Sequence, residues 1–251
     1  MSRVGWYRAF VVGGAIALLE VLCLAGFIDK ITMQAPHLIV RDLYRMLVSG
    51  RMNGAIAKTL SNTVLALVLS LGAGIIIGAL LHRARALRDT LDPLFATYYA
   101  VPMYAFYPLL IVIFGLGDFP QVAIGFLLAV MAVIINTLNG LDRVPAVLLK
   151  TARVHGLGFI QEAFHIRLPY AAPYVFTGFK LAVAYSFIGV IGAEFITSSR
   201  GIGYEISFAY NNFDNKTMYP LILLILVLVT IVNMSLYAWE RRLLARRTPA
   251  P

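Results

Sequence analysis

Charge is scarce in this chain and cysteine nearly absent. Only 13% of the 251 residues are charged, about half the share of a typical soluble domain. Ordinary aqueous globules are excluded by that figure; most of the chain suits lipid. The single cysteine, Cys23, stands inside an apolar run, so an intrachain disulfide is impossible. Four histidines are scattered without metal-ligand spacing. No GxxxxGK[ST] phosphate loop occurs, so any ATP chemistry belongs to another chain. Nor does a nucleophile–base set stand out, which argues against catalysis by this chain.

Acidic residues are also few, 12 against 21 basic ones, giving a formal charge of +9. A basic surplus can mark a nucleic-acid partner. Its placement decides against that here. Apolar residues make up 60% of the chain, and they gather into runs long enough to cross a bilayer, which needs about 18 or more. These predict six membrane helices at about 10–28, 64–81, 94–116, 119–140, 174–193 and 218–239. In hydrocarbon the backbone must satisfy its own hydrogen bonds, so each span is read as a helix. The chain is thus an all-α membrane protein with one transmembrane domain, 1–251. The first run is too long for a cleaved signal peptide and no small-x-small site follows it.

Basic residues sort by side. With the N-terminus inside, 13 fall in cytoplasmic segments and 7 in outer ones, among them Lys30, with Lys180 inside a span. This bias places both termini in the cytoplasm and makes the positive charge a topology signal. After the first span, Leu38, Ile39, Leu43, Leu47 and Val48 recur at helical spacing between arginines. That pattern predicts an amphipathic packing helix at the outer rim, stopped at Gly50. The C-terminal ARRTPAP reads as disordered.

The cytoplasmic stretch 141–169 is far longer than connectivity requires, and it contains KTARVHGLGFIQEAFHIRLP at 150–169. Leu148, Leu149 and Ala152 suit a short helix packed back on the membrane domain, with Arg153 and His155 facing outward. Gly156 and Gly158 permit a tight helix ending. Leu168–Pro169 then restarts the chain into the fifth span, since proline suits a helix's first turn.

Lys150-Thr151-Ala152, Gly156, Ile166, Leu168 and Pro169 match, without a gap, a spaced pattern: E-A-A, three residues, G, nine residues, I-x-L-P. The chain therefore resembles the permease subunits of ATP-driven (ABC-type) importers. Three further stretches resemble the sulfonate, taurine, nitrate and bicarbonate group. They are VPMYAFYPLLIVIFGLG at 101–117, NTLNG at 136–140, and Glu194 with Gly201-Ile202-Gly203-Tyr204. The similarity runs from about Thr59 to Arg242.

That resemblance implies a type I ABC importer permease fold: six transmembrane helices with a cytoplasmic coupling-helix loop, in a bacterial inner membrane. It implies a second permease chain (a homodimer being the simpler arrangement), two ATPase subunits holding ATP and Mg, and an external substrate-binding protein. Lys150, Thr151, Ala152, Arg153, His155, Gly156, Leu157 and Gly158 become the candidate ATPase-coupling set. Lys150 and Thr151 depart from the pattern's acidic residue and first alanine. A carboxylate contact is there lost or reversed in sign.

Pro102, Met103, Tyr104, Phe106 and Tyr107 in the third run, with Lys180 in the fifth, are candidates for the translocation pathway or gate. Helix packing is the competing reading for each. Relatives handling small oxyanions carry smaller residues here, so this bulk points to an organic solute. Charge within a span is costly, which singles out Glu20, Lys180 and Glu194. Glu20 has no evident partner in sequence. Lys180 can snorkel or pair, while Glu194, with Gly201 and Gly203, either holds the outer turn or docks the binding protein. A secondary transporter or channel would share the six spans, but would not need the basic coupling loop.

Overall fold

A computed structural model describes residues 3–29 and 32–245 of the chain. Lys30 and most of the ARRTPAP tail lie outside the described residues. Helices and their connecting turns account for the described chain, with no strand among those residues. Eleven helices carry labels below: α1 Arg3–Leu24, α2 Pro36–Val48, α3 Asn53–Arg83, α4 Arg85–Tyr98, α5 Tyr107–Phe114, α6 Asp118–Asp142, α7 Ala146–Val154, α8 Phe159–Glu162, α9 Leu168–Thr197, α10 Ile202–Asn211 and α11 Asn215–Ala245. Five helical stretches are long and apolar enough to cross a membrane, and a bent pair makes a sixth.

That bent pair corrects the reading of the third run as one helix. α4 ends at Tyr98; a 3₁₀ turn at Met103–Phe106 and α5 follow, with a 97° bend between the halves. Pro102 sits in extended backbone ahead of the turn, and Pro108 falls in the first turn of α5. Neither proline can donate a main-chain hydrogen bond, so an uninterrupted ladder is unavailable.

The first span also differs, starting at Arg3 and stopping at Leu24 rather than Ile28. Gly26 adopts φ +77°, and the amides of Gly26 and Phe27 bond back to Cys23 and Leu22. This is a Schellman ending, which closes a helix on a left-handed residue. The interfacial helix forms as α2, with Ile39 and Leu43 buried and Gly50 at φ +67° beyond it.

The core is three helices, with α6 lying between α3 and α9. Membrane helices have little hydrophobic drive toward each other, so small residues must admit close backbone contact. Ala66, Ser70, Gly74 and Gly78 form such a seam at four-residue spacing on α3. A Cβ added at Gly74 would stand 2.6 Å from Val133 Cβ, and one at Gly189 would stand 2.5 Å from Gly125 Cα. By contrast α1 and α11 bury little of themselves, leaving apolar side chains such as Phe10, Leu226 and Ile231 exposed.

The fifth span begins earlier than Leu168. α8 and α9 form one path through a π turn at Ala163–Arg167, giving a continuous stretch Ile160–Thr197. Pro169 lacks the amide a regular ladder would need there, and the wider π turn accommodates it. The connection between α6 and α8 is therefore shorter than the predicted 141–169: only α7 and its flanking turns fill it.

Candidate functional site

α7 is the projecting element of the coupling loop. Pro145 precedes it, in the place where a missing amide costs least. Its end is a second Schellman motif: Gly156, at φ +66°, bonds to Arg153 O, and Leu157 bonds to Ala152 O. Ala152 is 1% exposed and anchors the inner side, with Val144 also buried. Leu148 does not pack as expected. It is 39% exposed, although it lies one turn from Ala152 on the same side of the helix. Lys150, Thr151, Arg153, Val154, His155, Gly156 and Gly158 are all exposed, and Leu157 is half-buried. Val147 and Val154 are exposed on the same outward face as Lys150 and Thr151. Lys150, Arg153 and His155 have no ion pair among the described residues.

Behind α7 runs an ionic chain that sequence reading had not joined. Arg88 on α4 grips Asp142, at the end of α6, through Nη1 at 2.8 Å and Nη2 at 2.7 Å. His82 Nδ1 lies 3.1 Å from the same carboxylate, and its Nε2 lies 3.3 Å from Arg167 Nη1. Arg167 in turn donates to Glu162 through Nε at 2.7 Å and Nη2 at 2.6 Å. Four helix ends are thereby strapped together beside the coupling element. No motif pointed to these residues; their only signal was charge at the predicted span ends.

The third-run candidates divide into two groups. Met103 and Tyr107 are buried. Tyr107 donates its hydroxyl to Thr197 O at 2.8 Å and packs with Ile124 and Ala193. Tyr104 donates to Ile188 O at 2.6 Å and lies against Gly192, where any Cβ would strike the ring. The two tyrosines clamp the broken span to α9. Pro102 and Phe106 point away from the packed helices and are exposed. Lys180 is held by Glu240 on α11, with Nζ 2.8 Å from both carboxylate oxygens and the Phe176 ring nearby. Glu20, which looked partnerless, accepts from the His37 backbone at 3.1 Å and also contacts its ring. It ties α1 to the start of α2.

At the end of the bundle away from α7 Glu194 is fully buried, and Gly201 and Gly203 are buried beside it. They build the turn. Glu194 accepts from Thr59 Oγ1 at 2.7 and 3.0 Å and from the Gly203 amide at 3.0 Å. Thr59 Oγ1 also accepts from the Ile202 amide at 2.8 Å. The first amides of α10, orphaned by helix geometry, are thus capped from α3 and α9. Next to this cap Asn62 donates to Gln121, and Gln121 donates to Ser198, each at 2.9 Å.

Residues 70–248 match the family model described as "binding-protein-dependent transport system inner membrane component". The chain belongs to that family.

The permease is 28% identical over 247 residues to the putative aliphatic sulfonates transport permease protein SsuC of Bacillus subtilis, covering 98% of this chain and 90% of that one. It is 30% identical over 190 residues to the nitrate import permease protein NrtB of Synechococcus elongatus (74% and 68% covered). With the taurine transport system permease protein TauC of Escherichia coli the figures are 27% over 188 residues, 75% and 68% covered. Among solved structures, inward-facing forms of the MetNI methionine ABC transporter align with TM-score 0.65 at 18% identity. That alignment covers 76% of the permease and 94% of the aligned chain. At this identity the likeness speaks to fold, and it agrees with the multi-span helical architecture. The permease is a membrane-spanning subunit of an ATP-driven importer, with ATP hydrolysis residing in a separate subunit.

Proposed function

We propose that the permease carries a small organic anion across the inner membrane, and that α7 receives the force of ATP hydrolysis. The outward face of α7 carries this reading. Val147 and Val154 are 71% and 84% exposed, next to Lys150 and Thr151, on a helix whose other side is locked down by Ala152. Large exposed apolar side chains on a rigid projection suit a protein partner. Two ATPase subunits, loaded with ATP and Mg, sit under a homodimer of this chain. An external binding protein delivers the solute, and both termini face the cytoplasm.

The substrate class follows from two lines of support. Relatives are named for aliphatic sulfonates, taurine and nitrate. Tyr104, Phe106 and Tyr107 bring bulk to the broken span, which favours an organic anion over a bare oxyanion. Phe106 and Pro102, being exposed, are the pathway-facing pair, while Met103, Tyr104, Tyr107 and Lys180 serve packing and pairing.

A tagged chain purified in mild detergent should bring down a P-loop ATPase of about its own size. Recovery of no ATPase would sink the reading. Val154→Cys on a Cys23→Ser background should react with an impermeant thiol reagent only in inside-out vesicles. Labelling from the outside would reverse the orientation.

A further inference from the structure

We propose that the basic hollow between α2 and the start of α11 docks an acidic face of the solute-delivering protein. It lies at the end of the bundle away from α7, where Leu43 and Met52 share a core cluster with Ile202 and Leu221. The hollow has a volume of about 390 Å³, and Arg41, Arg45, Arg51 and Lys216 line it. Arg41 and Arg45 stand one turn apart on α2 and so share a row. Arg41 is engaged by Asp42, Nε to Oδ1 at 3.5 Å, and Gln34 holds the other carboxylate oxygen. The side chains of Arg45, Arg51 and Lys216 have no ion pair or hydrogen bond among the described residues. Nearby Asp214 accepts from the Thr217 amide at 3.2 Å and caps α11. Even with Asp214 counted, four cations face two carboxylates. Like charges at helical spacing repel, and an incoming acidic surface relieves that repulsion.

A second, independent observation stands three residues before Lys216. α10 ends in a Schellman motif: the Phe213 amide bonds to Tyr210 O at 3.1 Å, and the Asp214 amide to Ala209 O at 2.8 Å. The left-handed residue of that motif is Phe213, at φ +55°. Glycine adopts such backbone freely, whereas a bulky side chain there is strained. Nothing within the chain rewards the ring, which is 85% exposed. Strain kept without local reward points to a functional surface. Aromatic and arginine side chains together are the combination enriched at protein interfaces.

The walls decide against a phospholipid. Of the residues lining the hollow, Met46 alone is wholly apolar, so acyl chains find no path beside a headgroup. Val40, Tyr44 and Val48, exposed on α2, form a separate row that does not line it. An acidic protein face needs only carboxylates for the guanidinium forks and an apolar dimple for Phe213. The assignment rests on the proposed importer reading, with this end of the bundle outside. Labelling of Val154→Cys tests that orientation separately.

The test follows ATP hydrolysis by the intact importer complex in nanodiscs of mixed phosphatidylglycerol and phosphatidylcholine, titrated with the importer's own binding protein. In wild type the half-maximal concentration of binding protein should rise with ionic strength. An Arg45→Glu/Arg51→Glu double variant should raise it roughly tenfold or more and flatten the salt dependence. Phe213→Gly should raise it several-fold, while the melting temperature of the complex holds or rises because glycine relieves the backbone. Size exclusion on the same preparations reports assembly with the ATPase, so weakened docking is read only on intact complexes. An unchanged half-maximal concentration in both variants would overturn the proposal. So would loss of phosphatidylglycerol retention in the double variant, by native mass spectrometry, with docking intact. A wild-type complex that its binding protein fails to stimulate would sink the importer reading itself, which is a separate failure.

Discussion

Thr59 of α3 and Glu194 of α9 are 135 residues apart in sequence and meet at the end of the bundle away from α7, hydroxyl donating to carboxylate at 2.7 Å. Through them three helices converge, because Thr59 and Glu194 between them cap the amides of Ile202 and Gly203 that open α10. A carboxylate at a helix N-terminus is favourably placed against the peptide dipoles. Burial strengthens that contact and makes its loss expensive.

Glu194→Ala should therefore destabilise the permease by about 1–3 kcal/mol, since the Gly203 amide and Thr59 hydroxyl lose a buried acceptor. Gly201→Ala should be comparably harmful: the backbone there has φ +113°, and a Cβ would stand 2.3 Å from the Glu194 carboxyl carbon. Melting of detergent-solubilised protein, followed by size-exclusion fluorescence, reads both. An unchanged melting temperature for both would remove the capping role.

The close seams of α6 predict a contrast between glycines. Gly189→Ala should destabilise by about 1–3 kcal/mol, because its Cβ meets Gly125 backbone and one helix must shift. Gly72→Ala, with nothing within 4 Å of the new atom, should be neutral in the same melting assay. Equal behaviour of the two would contradict the packing described for the core.

Lys180 and Glu240 allow a charge-reversal experiment. Removing either alone strands a partly buried charge and should lower stability, whereas Lys180→Glu with Glu240→Lys should recover much of it. Coupling in a double-mutant cycle should be on the order of 1–3 kcal/mol. The apparent KM for transport should stay near wild type in the double exchange. A large KM increase there would instead assign Lys180 to the solute.

At the coupling element, Val154→Asp should depress binding-protein-stimulated ATP hydrolysis while leaving the melting temperature of the permease unchanged, because Val154 is exposed on α7. Lys150→Glu, which restores the acid of the importer pattern, reports on the sign of the facing surface. Reduced ATPase coupling is expected if the partner presents carboxylates to Lys150. Normal hydrolysis and transport would show that the charge reversal has no such role.

Gly156→Ala tests the loop from another direction. At φ +66° a Cβ is strained, which should cost about 1 kcal/mol. The consequence should be lower coupling efficiency at elevated temperature, measured as ATP hydrolysed per solute moved.

Much of this architecture was legible in one dimension. Apolar runs, the spaced Gly156–Pro169 pattern and the glycine stops are local properties, and local properties survive translation into three dimensions. The Schellman ending at Gly156 needed only a residue tolerant of left-handed backbone beside a helix, whereas the one at Gly26 went unread inside an apolar run. What stayed hidden was pairing at a distance. Nothing in the neighbourhood of Glu20 names His37, and nothing near Lys180 names Glu240. The His82–Asp142–Arg167 chain was equally invisible, since each member looks like an ordinary charge at a span end.

The residues alone determined that this chain is a helical, multi-span membrane protein with a projecting basic loop, because hydrocarbon demands internally bonded backbone and long apolar runs announce themselves. Only the tertiary structure decided that the third span is broken by 97°, and that Tyr104 and Tyr107 clamp it to α9. It also decided that Glu194 joins α9 to Thr59 and to the first turn of α10. Those outcomes depend on which helix faces which, and helix pairing is set by side-chain fit and by hydrogen bonds between residues 84, 90 and 135 positions apart.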